Sequence, residues 1–121
     1  MKYICSLITV ADIERLKSFY QNILNQKIKF DYGENVFFEA GFAIHLKSHF
    51  QNLIENKEII SKFNAFELYF EADEINDIEQ RLVENKVEII HKVKEQTWKQ
   101  KVLRFYDPDG NIIEIGERIF N

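Results

Sequence analysis

The sequence predicts an α+β protein built from two copies of one βαβββ module. In each half, a short β-rich run is followed by a segment with helical spacing and then by three further β-rich runs. The matching segments Val10-Ala11-Asp12-Ile13 and Ala72-Asp73-Glu74-Ile75 lie 62 residues apart, about half of the 121-residue chain. Since a module of this size cannot bury a full core alone, we expect both to pack together in one domain, residues 1–121.

The first module is predicted to span residues 1–47. Alternating residues indicate a strand from Ile4 to Val10, and Asp12 is the expected N-cap of a helix that runs to Leu24. Three further strands and their turns complete the module. The strands are expected over 27–30, 36–39 and 42–47, with turns at 31–35 and 40–41.

A connector, residues 48–62, precedes the second module at 63–121, and its Phe50, Leu53 and Ile54 suggest a short helix. The second module repeats the order of the first. Its predicted elements are a strand over 66–72, a helix from 73–74 to 85–86, and strands over 87–93, 101–106 and 111–117.

Strand alternation predicts which side chains share a face, because helices cover one face of such a sheet. The helix-facing set is expected to be Ile4, Ile8, Val10, Phe66, Leu68 and Phe70. The opposite set is Tyr3, Cys5, Leu7, Thr9, Glu67, Tyr69 and Glu71. This second set mixes aromatic, thiol and carboxylate groups, which line a concave cavity if the sheet curls.

Composition excludes several classes of protein. A net charge of −4 and a pI near 5.4 disfavour a nucleic-acid partner, because phosphate neutralisation needs a basic face. No apolar segment has the length of a signal peptide or a membrane span, so no membrane partner is expected. The lone Cys5 cannot form an internal disulfide, which fits a reducing compartment. We therefore expect a cytoplasmic protein.

Two motifs resemble a known superfamily. They are Ile8-Thr9-Val10-Ala11-Asp12-Ile13-Glu14, leading to Ser18-Phe19-Tyr20 and Ile23-Leu24, and the run from Arg104 through Asp107-Pro108-Asp109-Gly110 to Glu114-Ile115. Together they resemble the glyoxalase, bleomycin-resistance and extradiol-dioxygenase superfamily, also called vicinal oxygen chelate proteins. The resemblance implies paired βαβββ modules whose curled mixed sheet forms a cup around a small-molecule cavity, commonly near a dimer interface. A homodimer is expected, because open sheet edges favour self-association.

The resemblance also implies a place for a metal. Metal-using members carry one ligand on the first strand and one on the last strand of each module, which here correspond to Cys5, His45, Glu67 and Glu114. Only Glu114 matches directly, since His or Gln is usual on the first strands and Glu is frequent where His45 stands. Such a donor set can bind a divalent ion of zinc, iron, manganese or nickel. Alternatively, Cys5 is only a small buried apolar residue.

Further residues are candidates for the ligand pocket. They are Tyr3, Leu7, Tyr69, Trp98 and Arg104. Trp98 either packs as a loop aromatic on the domain or stacks on a flat bound ligand. His49 and His91 are interpreted as surface residues.

Two functions remain open. One is a protein that binds or sequesters an aromatic or cationic compound without a metal, because a cavity with two carboxylates favours positive ligands. The other is a metal-dependent lyase, isomerase or dioxygenase-type enzyme that acts on vicinal oxygens of its substrate. In that enzyme Glu114 or Glu67 holds the metal or moves a proton, as the catalytic residue. The unusual ligand set favours the binding protein.

Overall fold

The structure is a computed structural model that describes residues 1–119. The chain divides into two compact units, with unit 1 at Met1–Ser61 and unit 2 beginning at Lys62. The boundary lies at the end of the predicted connector. Each unit holds a four-stranded mixed sheet with helices, in the order βαβββ, so the predicted fold class is confirmed. That the two modules form a single domain stays a prediction.

Unit 1 has a sheet with strand order β1-β4-β3-β2. Its elements are β1 (Ser6–Val10), α1 (Ile13–Ser18), a π-helical turn (Phe19–Ile23), β2 (Ile28–Asp31), β3 (Asn35–Phe38), β4 (Phe42–Leu46) and α2 (Lys47–Leu53). Strand β1 runs parallel to β4, whereas the other neighbours are antiparallel. Helix α2 is the short helix expected in the connector.

Helix α1 begins where the sequence predicts, because the Asp12 carboxylate accepts the backbone N–H of Arg15 at 3.1 Å. Its regular part ends at Ser18, and a wider turn continues the helix, with the N–H of Leu24 donating to the carbonyl of Phe19. This turn buries Tyr20, whose ring lies 5.6 Å from Phe38 between centroids. The turn therefore anchors the helix on one face of the sheet.

The N-terminal end of the first strand differs from the prediction. Strand β1 starts at Ser6, opposite Phe42, and both Ile4 and Cys5 lie before it. The reason is that β4 begins only after the turn at Gly41, so the earlier residues have no partner strand. Ile4 is consequently exposed instead of facing the helices, whereas Ile8 and Val10 are buried as expected.

Unit 2 has the strand order β5-β8-β7-β6. Its elements are β5 (Glu67–Ala72), α3 (Ile75–Glu84), β6 (Ile89–Glu95), β7 (Lys101–Tyr106) and β8 (Ile112–Glu117). The core lies between α3 and one face of the sheet. Its buried side chains are Ile75, Leu82, Leu103, Phe105, Ile113 and Ile115.

The turn between β7 and β8 forms locally. The carboxylate of Asp107 accepts the backbone N–H groups of Asp109 and Asn111, each at 2.9 Å. Gly110 has a φ of +82°, which favours glycine because it carries no Cβ. This turn sets the register in which β8 returns along β7.

Among residues 1–119, no helix is both long enough and apolar enough to cross a membrane.

Candidate functional site

The open face of the unit 2 sheet gathers polar side chains. Leu103 and Phe105 point toward α3, so the alternate residue Arg104 points to the opposite face. In the register of the sheet, Glu114 lies beside both Tyr69 and Arg104. Sequence alternation predicted that Glu67 and Tyr69 would share a face, and the resemblance placed Glu114 with Glu67.

Arg104 links the two carboxylates at the centre of this face. Its Nη2 donates to Oε1 of Glu114, and its Nε lies 3.9 Å from Oε1 of Glu67. The side chains are 12% exposed for Glu114, 25% for Arg104 and 45% for Glu67. The guanidinium therefore lies against the two residues that the enzyme hypothesis expects to hold a metal or to move a proton.

His91, on the neighbouring strand β6, forms a hydrogen bond with the Arg104 guanidinium. The Nε2 of His91 lies 3.0 Å from Nη1 of Arg104, and its Nδ1 lies 2.9 Å from the carbonyl oxygen of Lys92. A carbonyl only accepts, so Nδ1 carries the proton, and Nε2 accepts from the guanidinium. Sequence reasoning missed this contact, although β6 pairs with β7 at these residues.

Glu114 binds a proton more readily than an ordinary glutamate. Burial raises the pKa of Glu114, and a hydrogen bond with the neighbouring Glu67 raises it further, whereas Arg104 acts in the opposite direction. Desolvation disfavours the ionised form, and the Glu67 carboxyl stabilises the protonated form. This face can therefore accept or donate a proton at Glu114.

A Glu114→Gln variant should show this raised pKa in its stability. A carboxyl whose pKa is higher in the folded chain stabilises the protein below its unfolded pKa of 4.5, and this contribution is lost as pH rises through the folded pKa. The neutral amide has no such loss. Urea unfolding at several pH values should show the variant gaining stability relative to the wild type from acid to neutral pH. A pH-independent difference would contradict the raised pKa.

A second hydrogen-bonded group lies beside the Arg104 cluster. The buried Gln100 donates to the hydroxyl of Tyr69 at 3.0 Å and accepts from Nε1 of Trp98 at 2.7 Å. A Cβ on Gly116 would lie 2.4 Å from Nε2 of Gln100, so only glycine leaves room for this amide. The half-exposed ring of Trp98 is thus tied at its nitrogen edge, with part of its surface open to solvent.

Unit 1 contains an aromatic pocket with a volume of about 290 Å³. Phe30 stacks on Tyr32 with 5.9 Å between ring centroids, and Phe37 meets Tyr32 edge-on at the same separation. Cys5 and Glu39 also line this pocket. The pocket can hold a planar apolar group against these aromatic rings.

Tyr3 and Leu7 lie outside the lining of this pocket. The hydroxyl of Tyr3 forms a hydrogen bond of 2.5 Å with Oγ of Ser6, and its ring is exposed. Leu7 is partly exposed on the sheet face that carries Ala43. Cys5 therefore lies at the aromatic pocket, whereas Tyr3 and Leu7, which were expected to contact a ligand, do not line it.

His45 does not occupy the place that corresponds to Glu114. Leu7 and Ala43 pair in unit 1 as Tyr69 and Glu114 pair in unit 2, so Ala43 holds that place, two residues before His45. His45 is buried opposite Thr9. Burial lowers its pKa, and the nearby His49 lowers it further.

The donors do not fit the metal that the resemblance implies. Within each unit of the described chain, 1–61 and 62–119, no three His, Cys, Asp or Glu side chains are grouped to hold a metal ion. In unit 2 a guanidinium, itself a cation, lies against Glu67 and Glu114. In unit 1 Cys5 precedes β1, whereas His45 lies near the far end of β4. No catalytic step through such a metal follows from this arrangement.

Comparisons with known proteins agree with the fold. The family model of the glyoxalase-like domain matches residues 3–120. A crystal structure of a protein of unknown function from Agrobacterium tumefaciens is 39% identical, with a TM-score of 0.88 over 98% of this chain and 95% of that one. None of the curated proteins matches the chain.

Two more distant structures share the fold alone. A lactoylglutathione lyase from Agrobacterium tumefaciens is 18% identical, with a TM-score of 0.74 over 97% of this chain and 94% of that one. A member of the glyoxalase/bleomycin resistance protein/dioxygenase superfamily from Sphaerobacter thermophilus is 22% identical, with a TM-score of 0.75 over 98% of both chains.

Proposed function

The chain belongs to the family of the glyoxalase-like domain, and from that premise we propose that it binds and sequesters an aromatic small molecule in the pocket of unit 1, without a metal. The observation that carries this proposal is the group of aromatic rings around that pocket. The Arg104 guanidinium supports binding over the metal-dependent enzyme, because it already places a cation against the Glu67 and Glu114 carboxylates that a metal would need.

The size and lining of the pocket favour a compact planar ligand. Its volume of about 290 Å³ is at the lower end of ligand pockets, which range over about 300–1,000 Å³. Phe30 is 48% exposed and Tyr32 is exposed as well, so a bound ring would remove apolar surface from water. Each aromatic pair adds about 0.5–1.5 kcal/mol beyond burial.

Charge has a smaller role in this pocket than aromatic contact. Lys29 and Glu39 both line it, and Nζ of Lys29 lies 5.5 Å from the centre of the Phe30 ring. The Phe30 ring therefore already interacts with one cation. A ligand cation can replace Lys29 over this ring or approach Glu39, so both neutral and cationic aromatic compounds fit.

Acridine and proflavine provide a matched pair of probes for this function. They share one three-ring system, but near neutral pH acridine is uncharged and proflavine is a cation. We expect both dyes to bind in fluorescence titrations, and Phe30→Ala to weaken binding about tenfold, since about 1.4 kcal/mol corresponds to that factor. The control is Phe63→Ala, which removes a phenylalanine of similar exposure, 55%, in unit 2.

The two variants and the two dyes together show whether the pocket is the ligand site and whether it selects cations. If neither dye binds, or if Phe63→Ala weakens binding as much as Phe30→Ala, the pocket is not the ligand site. If proflavine alone binds and Glu39→Gln abolishes its binding, the pocket selects cations.

Tyr69, Trp98 and Arg104 remain proposed as ligand contacts on the open face of unit 2, and Tyr3 and Leu7 as ligand contacts outside the aromatic pocket of unit 1. Trp98 has the strongest support, because its ring is half-exposed while its nitrogen is held by Gln100. A homodimer and a cytoplasmic location belong to the same proposal. Strands β1 and β5 are edge strands of their sheets, and an open edge favours pairing with a second chain.

A further inference from the structure

His45 and His49 face each other where α2 packs on the sheet of unit 1. Nε2 of His45 lies 2.8 Å from Nδ1 of His49, and the ring centroids are 5.1 Å apart. These two distances place both nitrogens close to the line that joins the rings, so each nitrogen points at the other. Only one proton can lie between them, and each neutral ring offers one lone pair.

The residue opposite His45 on the neighbouring strand has an unsatisfied side-chain oxygen. Asn35 on β3 is directly opposite His45 on β4, and its Oδ1 is buried without a hydrogen-bond partner. The backbone N–H of Leu46 donates to the carbonyl of Glu34, the next pair along the two strands. Asn35 and His45 are therefore a non-hydrogen-bonded pair of the antiparallel ladder, the type in which the two side chains lie closer together. A buried acceptor without a donor is costly, and a bound cation would satisfy it.

The histidine pair lies in an enclosed place. The ring of Phe50 on α2 lies 5.2 Å from that of His45, and His45 itself is buried. His49 is half-buried on α2, the helix that follows β4 directly. The pair thus connects the helix to the sheet, and His49 retains access from solvent.

We propose that His45 Nε2, His49 Nδ1 and Asn35 Oδ1 bind one Zn²⁺ ion, or a similar divalent transition metal, with water as the fourth ligand. The ion replaces the proton between the rings. Imidazole nitrogens are ligands that zinc, nickel and copper prefer. Bonds of about 2.0–2.1 Å at a tetrahedral angle hold the nitrogens about 3.4 Å apart and place the ion off the line that joins them, so His49 must move by about half an ångström and both rings must turn toward the ion.

This site shares His45 with the set implied by the resemblance, but it uses none of Cys5, Glu67 and Glu114, and its other ligands, His49 and Asn35, lie outside that set. Its expected effect is to fasten α2 to β4. Because the metal ion binds the folded chain and not the unfolded chain, the unfolding temperature should rise as the metal concentration increases.

Equilibrium dialysis of the full chain against Zn²⁺ tests the proposal, with the bound metal measured by atomic emission. We expect one ion per chain in the wild type, and a dissociation constant at least tenfold higher in His49→Gln. His91→Gln and Cys5→Ser serve as matched controls, because they remove the other histidine and the thiol from the chain, and both should bind one ion. Zn²⁺ should also raise the unfolding temperature of the wild type but not of His49→Gln.

Three results would overturn the site. They are no bound ion in the wild type, an unchanged dissociation constant in His49→Gln, or loss of the ion in Cys5→Ser or His91→Gln. His49→Gln alters a half-buried side chain, and circular dichroism checks that it folds. Acridine binding by the same variant should be unchanged, because none of the three ligands lines the aromatic pocket.

Discussion

Replacing Phe105 with alanine is expected to lower the free energy of unfolding by about 3–5 kcal/mol, the largest effect predicted for this chain. Phe105 lies on β7 opposite Ile113, and both side chains are fully buried on the face that α3 covers. The loss combines the transfer of the ring to water with the cavity that remains. Urea unfolding followed by circular dichroism measures it.

Phe63→Ala is the control for this core prediction, because it removes the same ring from an exposed position. Its effect should be well below that of Phe105→Ala. Small domains have a stability of about 5–15 kcal/mol, so Phe105→Leu, which leaves a smaller cavity, is a second variant that should remain folded. Equal losses in the alanine variants at positions 63 and 105 would contradict the assigned core.

Local signals in the sequence predicted the elements of the fold well. The N-cap Asp12 and the turn from Asp107 to Gly110 act through hydrogen bonds within a few residues, so their residue types are sufficient to predict them. The start of β1 was not predictable in this way. Whether Cys5 belongs to the strand depends on where β4 begins, and β4 is distant in sequence.

The candidate site was predictable where it depends on strand alternation. Glu67 and Glu114 lie on one face as the period of two requires, and Arg104 joins them from the neighbouring strand. His91 and His49 were missed, because their contacts depend on the bulged pairing of β6 and on the packing of α2.

The position of His45 shows the limit of transferring a site through an internal repeat. In unit 1 the first and last strands pair residues 36 positions apart, as in Ser6 and Phe42, whereas in unit 2 Glu67 and Ile112 are 45 positions apart. The two modules therefore differ by nine residues between their first and last strands. Only the observed register shows that Ala43 corresponds to Glu114.

Replacing Arg104 with methionine is expected to destabilise the chain by about 1–3 kcal/mol near neutral pH, because it leaves two neighbouring carboxylates without their cation. The estimate is below that for a fully buried pair, since Glu67 is nearly half exposed. Removing the cation also raises the pKa of Glu114 further, so the loss should shrink as pH falls toward 4.5 and Glu114 takes up a proton.

A double-mutant cycle with Glu114→Gln separates this charge effect from lost packing. If repulsion between Glu67 and Glu114 dominates, Arg104→Met combined with Glu114→Gln should recover most of the lost stability at neutral pH. Arg118→Met is the matched control, because Arg118 and Asp73 form an exposed ion pair, with Nε 3.1 Å from Oδ1, and such pairs contribute about 0–1 kcal/mol. A double variant no more stable than Arg104→Met, or a loss that does not change with pH, would show that Arg104 stabilises unit 2 by packing instead of charge.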